Sequence, residues 1–167
     1  MPSTPCDDGV RTCDAAETTP LRDGRESTVE SMSAHADAVW NRAVDLLEQA
    51  DATRPGDAAL LTVLTFHGLV TNGGLFNAVD LHARDEVYPN DAVVDAYRFL
   101  GLEDAAAAID NAVLEQRDLQ LDDEADEDVV ADAAARIDET YTLDDEDIQA
   151  ALEVALANDP DAFAPVD

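Results

Sequence analysis

From residue 33 onward, apolar positions recur three and four residues apart, the spacing of one face of an α-helix. Val39, Ala43, Leu46 and Ala50 form a first stripe, flanked by Trp40, Val44 and Leu47, with Asp37, Asp45 and Glu48 on the outside. The turn Arg54-Pro55-Gly56-Asp57 ends that helix, and Asp57 is a suitable N-cap for the next. A second helix, about 58–71, is apolar nearly all round, which predicts the most buried element of the fold. Asn72, Gly73 and Gly74 then form a structural turn, since glycine reaches the backbone angles a sharp helix exit requires.

A short helix over 75–82 follows, then a loop holding Pro89. Asn90 or Asp91 caps a helix with Val93, Val94, Tyr97 and Leu100 inward, and Gly101 followed by Leu102 has the form of a glycine stop. Residues 103–116 form another helix. Val130, Ala134, Ile137 and Tyr141 mark a further one, and Asp144 or Thr142 opens the last, which Asn158-Asp159-Pro160 terminates. No run of alternating β-branched residues is present, so the fold class is all-α, a single compact domain of six or seven helices over 33–163 with a tail at 164–167. Residues 1–32 hold Pro2, Pro5 and Pro20, many Ser and Thr and no aromatic residue, the composition of a disordered leader.

Charge changes this picture most. The 167 residues carry 39 acids against 9 cations, for a net −30, and all nine cations are arginine. The imbalance is uneven: residues 1–83 hold 13 acids and 5 Arg (net −8), whereas residues 84–167 hold 26 acids and 4 Arg (net −22). Residues 118–147 are densest, with 14 acids and one Arg, net −13. Such a surface repels nucleic acid, which is bound through phosphate neutralisation, and it equally repels anionic membrane. The macromolecular partners it admits are basic. With no apolar leader and only two cysteines, Cys6 and Cys13, the expected location is the cytoplasm.

Catalytic and metal chemistry find no support. Neither acidic run, 122–128 nor 144–147, has the central Gly and terminal Glu of a calcium loop. His82 stands near Asp80, Asp85 and Glu86, too little for a metal site, and His67 lies on the apolar helix as a core histidine bonded to backbone. No nucleophile–base pair or phosphate-cradling loop can be assembled, so no enzyme activity, cofactor or metal is expected.

The carboxylates can instead imitate phosphates. Duplex DNA carries one charge per ~1.7 Å of axis, so thirty charges match roughly 15 base pairs. The partner-binding candidates are Asp118, Asp122, Asp123, Glu124, Asp126, Glu127, Asp128 and Asp132, with Asp144, Asp145, Glu146 and Asp147. A competing explanation is a halophilic or high-GC composition, which favours Asp and Ala over Lys, and a narrower one is an immunity-type protein that neutralises a basic toxin.

Val70-Thr71-Asn72-Gly73-Gly74-Leu75-Phe76-Asn77 resembles the signature of the bacterial DNA-mimic protein family, a helical domain also catalogued as domain of unknown function 4375. Ala96-Tyr97-Arg98-Phe99-Leu100-Gly101 before an alanine-rich helix is similar to that family's helix pair, and Ile137-Asp138-Glu139-Thr140-Tyr141 through Asn158-Asp159-Pro160-Asp161-Ala162-Phe163 to its closing section. The family's Gln-aromatic pair after the glycines is replaced here by Phe76-Asn77-Ala78-Val79. The resemblance covers about 35–163. It implies a homodimeric helical domain that binds a basic DNA-binding protein, such as a transcription factor, and blocks its DNA site.

Overall fold

The computed structural model describes residues 24–46, 54–85, 88–121 and 126–166; within 24–33, and at 46, 120 and 121, only the backbone is described. Among the described residues, seven α-helices, α1 (Gly24–Leu46), α2 (Pro55–Gly73), α3 (Leu75–His82), α4 (Asn90–Phe99), α5 (Glu103–Leu121), α6 (Glu127–Asp138) and α7 (Asp145–Asn158), are followed by one 3-10 turn over Pro160–Ala162. No strand occurs among the described residues, so the fold is all-α. α1 begins at Gly24, so its first turns lie within the stretch read as a leader.

α2 is the hub, as its all-round apolar sequence predicts. It packs against α1, α3, α4 and the 3-10 turn, while α5 lies on α3 and α4 and α7 lies on α1. Leu60, Val63 and Phe66 of α2 are fully buried. The Phe66 ring meets Tyr97 edge-on at 6.0 Å, which sets a ring edge against a ring face, and meets the His82 ring at a tilt at 5.3 Å. Val44, read as flanking the first stripe, is 43% exposed.

Several helix ends differ from the sequence expectation, each for a local reason. Arg54 is the N-cap of α2 and Pro55 its first residue, where the missing N–H and fixed φ of proline do no harm. Asp57 therefore lies inside the first turn and caps nothing. Its buried carboxylate accepts from Arg42 Nη2 at 2.5 Å and from the Ala164 N–H at 2.9 Å, joining α1, α2 and the C-terminal segment. Arg42 also donates to the carbonyls of Ala164 and Pro165, and Arg54 to that of Asp161. The same segment lies so close to α2 that a Cβ on Gly56 would stand 2.7 Å from the Phe163 ring.

At α4 the N-cap is Pro89, not Asn90 or Asp91. Asn90 turns inward and donates from Nδ2 to the Val79 carbonyl at 3.0 Å. α4 ends as its sequence predicts: Gly101, at φ 79, donates to Arg98 O and Leu102 donates to Tyr97 O, which closes the helix. α5 continues five residues past 116 to Leu121, and α6 stops at Asp138, leaving Tyr141 in the loop before α7.

Candidate functional site

Eight of the twelve candidate carboxylates fall on α6 and the first turn of α7, with the caps of those helices. Asp126 precedes α6 as its N-cap and accepts the Val129 N–H at 3.0 Å; Glu127 and Asp128 fill the first turn, where carboxylates are favoured by the helix dipole. Asp132 stands one turn further along. Ala133 and Ile137 are buried on the opposite side of the helix, which packs on α3 and α5. Asp144 caps α7 in a reciprocal box: its carboxylate accepts the Asp147 N–H at 2.9 Å, and Asp147 accepts the Asp144 N–H at 3.4 Å. Asp145 and Glu146 complete that turn.

All ten carboxylates between 126 and 147 are exposed, including Asp138 and Glu139, which the sequence candidates omitted. With Arg136 as the one cation, this stretch carries net −9, from ten acids and one arginine. Arg136 is itself bound to Glu115 of α5. Twelve helical residues span about 18 Å; the cluster 126–132 occupies the first half of α6, and 144–147 lie on a different element, the cap and first turn of α7. Asp118 is exposed on α5, and Asp122, Asp123 and Glu124 lie outside the described residues.

What holds α6 in place is the Asn-Gly-Gly turn. Asn72 and Gly73 still belong to α2, with Asn72 Nδ2 donating to the Gly68 carbonyl at 2.6 Å. Gly74 alone breaks the helix, at φ 83 and ψ 159, a region essentially reserved for glycine. Asp138, at the end of α6, accepts the Phe76 N–H at 2.9 Å and so serves the open N-terminus of α3. Its carboxylate fills the space beside Gly74: a Cβ there would lie 2.3 to 2.7 Å from the Asp138 carboxyl atoms. One glycine therefore supplies both the turn and the seat for the acidic helix. The sequence signals the turn; its partner, 64 residues further on, carries no local signal.

His67 also lies beside this face. It does not bond to backbone, as its place on an apolar helix suggested. Tyr97 reaches the Val63 carbonyl at 3.5 Å, Tyr141 meets Tyr97 at 2.7 Å, and His67 Nδ1 meets Tyr141 at 3.1 Å. A carbonyl can only accept, so Tyr97 donates to Val63, Tyr141 to Tyr97, and His67 Nδ1–H to Tyr141. This leaves Nε2 facing Thr71 and Asp145, each at 3.5 Å. Burial pushes Tyr141 up to about 12, offset in part by the hydrogen bond with Tyr97. Burial first, and then Tyr141 itself, drive Tyr97 far above the ordinary phenol range. The chain ties the α6–α7 loop to α2 and α4.

His82 is buried and donates from Nδ1 to the Tyr88 carbonyl at 2.6 Å, a structural role. No group of three or more His, Cys, Asp or Glu among the described residues could hold a metal ion. No helix among them is long and apolar enough to cross a membrane.

The model of the family described as DMP19-like protein matches residues 51–158, from the approach to α2 to the last residue of α7. The chain belongs to this DMP19-like family. The matched region includes the Gly74–Asp138 joint, α6 and the capping box of α7. No curated protein and no solved structure matches the chain.

Proposed function

We propose that the exposed carboxylates of α6 and the first turn of α7 imitate the phosphates of duplex DNA, and that the protein binds a basic DNA-binding protein and keeps it from its DNA site. The observation that carries this reading is the exposure of all ten carboxylates between 126 and 147, against a single arginine. α6 with its cap carries five carboxylates and one arginine, net −4, over about 18 Å, where a duplex of that length carries about 11 charges; Glu139 and the four acids of 144–147 bring the stretch to net −9. Membership of the DMP19-like family is consistent with a DNA-mimic role. The protein acts as a homodimer in this reading, because a two-fold axis doubles the acidic surface in the way many dimeric DNA-binding proteins require. It needs no catalytic residue, cofactor or metal.

The test must spare the carboxylates that cap helices. Glu127→Gln, Asp128→Asn, Asp132→Asn, Glu139→Gln and Glu146→Gln together remove five charges and leave Asp126, Asp138, Asp144 and Asp147 in place. The wild-type protein, immobilised in native lysate at low salt, should retain a basic protein that duplex DNA displaces, and the five-fold variant should lose it. Retention that duplex DNA does not disturb would refute mimicry. A specific observation favours the environmental alternative: exposed acids also stand on α1, α4 and α5, among them Asp37, Asp95 and Asp104, and the chain has no lysine. A carboxylate coat serving solvation alone would capture nothing that DNA displaces.

A further inference from the structure

An apolar groove lies where the C-terminal ends of α4 and α7 meet the 3-10 turn. Its volume is about 300 Å³, and Leu100, Ala155, Ala162 and Phe163 line it. At its mouth Phe99 is 43% and Val154 60% exposed, a cost in hydration that a solvation coat does not explain. The surroundings are negative. Arg98 and Asp159 line the groove, and three carboxylates outside its lining engage Arg98: Asp110 at 2.6 Å, with Asp95 and Glu103 within 4.0 Å. That sets one cation among four carboxylates, net −3. Both helices also end here, α4 at Phe99 and α7 at Asn158, and helix C-termini present partial negative charge.

We infer that this groove anchors a large apolar side chain from a basic, amphipathic segment of the partner. Charge complementarity selects the occupant: a second copy docked here about a two-fold axis would set this negative edge against itself, whereas a basic segment matches both the edge and the helix ends, and the proposed homodimer would use another face. The groove and the acidic cluster 144–147 occupy opposite ends of α7, whose fourteen residues span about 21 Å. A helical segment of similar length reaches both. The carboxylates then steer the encounter and the groove sets how long the complex lasts. The inference rests on the proposal that the partner is basic.

Two fluorescent synthetic 18-residue helical peptides of equal positive charge separate the two claims. One carries a leucine stripe among lysines; the other has serine in place of leucine. By fluorescence anisotropy, the full-length protein should bind the leucine peptide about tenfold more tightly at physiological salt, the gain expected from burying one large apolar side chain. Phe99→Ser with Val154→Ser should abolish that difference and leave the serine peptide's affinity unchanged. Val154→Lys, a change at a helix position already open to solvent, should weaken the leucine peptide more than the serine peptide. Equal binding of the two peptides by wild type, or an undiminished preference in these variants, overturns the groove and leaves the acidic face standing. Failure of both peptides to bind overturns the basic-partner proposal along with it. A wild-type dimer that becomes monomeric in the Phe99→Ser/Val154→Ser variant during sedimentation velocity would make the groove a self-interface, and would also overturn the inference.

Discussion

Gly74→Ala is the sharpest probe of how the acidic helix is held. At φ 83 and ψ 159 any residue other than glycine costs about 1–3 kcal/mol in backbone strain. The new methyl would also occupy the position of the Asp138 carboxylate, so the Phe76 N–H···Asp138 bond must break. A hydrogen bond to a charged group contributes about 1.5–3 kcal/mol, but Asp138 is exposed and solvent screening reduces this to about 1 kcal/mol. The expected loss is roughly 2–4 kcal/mol, a fall in Tm of about 5–15 °C for a domain of this size. Thermal unfolding followed by circular dichroism measures it. The decisive comparison is the same change in an Asp138→Ala background. There only the backbone term remains, so Gly74→Ala should cost about 1 kcal/mol less than in wild type. Equal costs in the two backgrounds would refute the shared joint, and so would a loss well under 1 kcal/mol in wild type. In Asp138→Ala alone, the Phe76 amide should exchange with solvent measurably faster.

Asp57→Asn should cost about 2–4 kcal/mol in urea unfolding, somewhat less than breaking a fully buried pair, because the Arg42 side chain is 25% exposed. The sign is informative: Asp45→Asn, at an exposed site of a chain with net −30, relieves repulsion and should be neutral or mildly stabilising. Stability should fall as pH rises from about 10 to about 12. The unfolded chain there releases tyrosine protons that the folded chain retains on Tyr141 and Tyr97, and Tyr141→Phe should flatten the slope of Tm against pH. Added salt should raise the Tm between low and physiological ionic strength, where screening shortens the reach of surface charge to about 8–10 Å; a flat or falling Tm would contradict self-repulsion as the dominant surface term.

Much of the helical framework is legible in the sequence because its signals are local. The apolar periodicity of α2, α4 and α5, the Gly101-Leu102 stop and the Asp144 cap each depend on residues within one or two turns. The role of Asp57 is not legible because an acid after Arg-Pro-Gly reads equally well as a cap or as a first-turn residue; only Arg42 and Ala164, 15 and 107 residues away, decide it. The acidic face is visible as a charge count, but its division between α6 and the first turn of α7 depends on where each helix starts and stops. The His67–Tyr141–Tyr97 chain and the groove beneath Phe99 and Val154 arise from segments brought together only by the fold, and neither has a spacing that sequence could reveal.

The C-terminal strap over the first turn of α2 also orders events during synthesis. Ala164 N–H reaches Asp57 across 107 residues, and Arg42 reaches Ala164 across 122. At about 5–20 residues per second, the ribosome delivers that segment roughly 5–20 s after Asp57. Until then the nascent α1–α2 pair lacks the Phe163 ring over Gly56 and two of the carbonyls that Arg42 binds. The joint between α1 and α2 is thus completed by residues that emerge 107 positions after Asp57. A ribosome stalled within the codons for the 3-10 turn would hold α1 and α2 with this joint open, and the carboxylate of Asp57 would face water instead of the Ala164 amide.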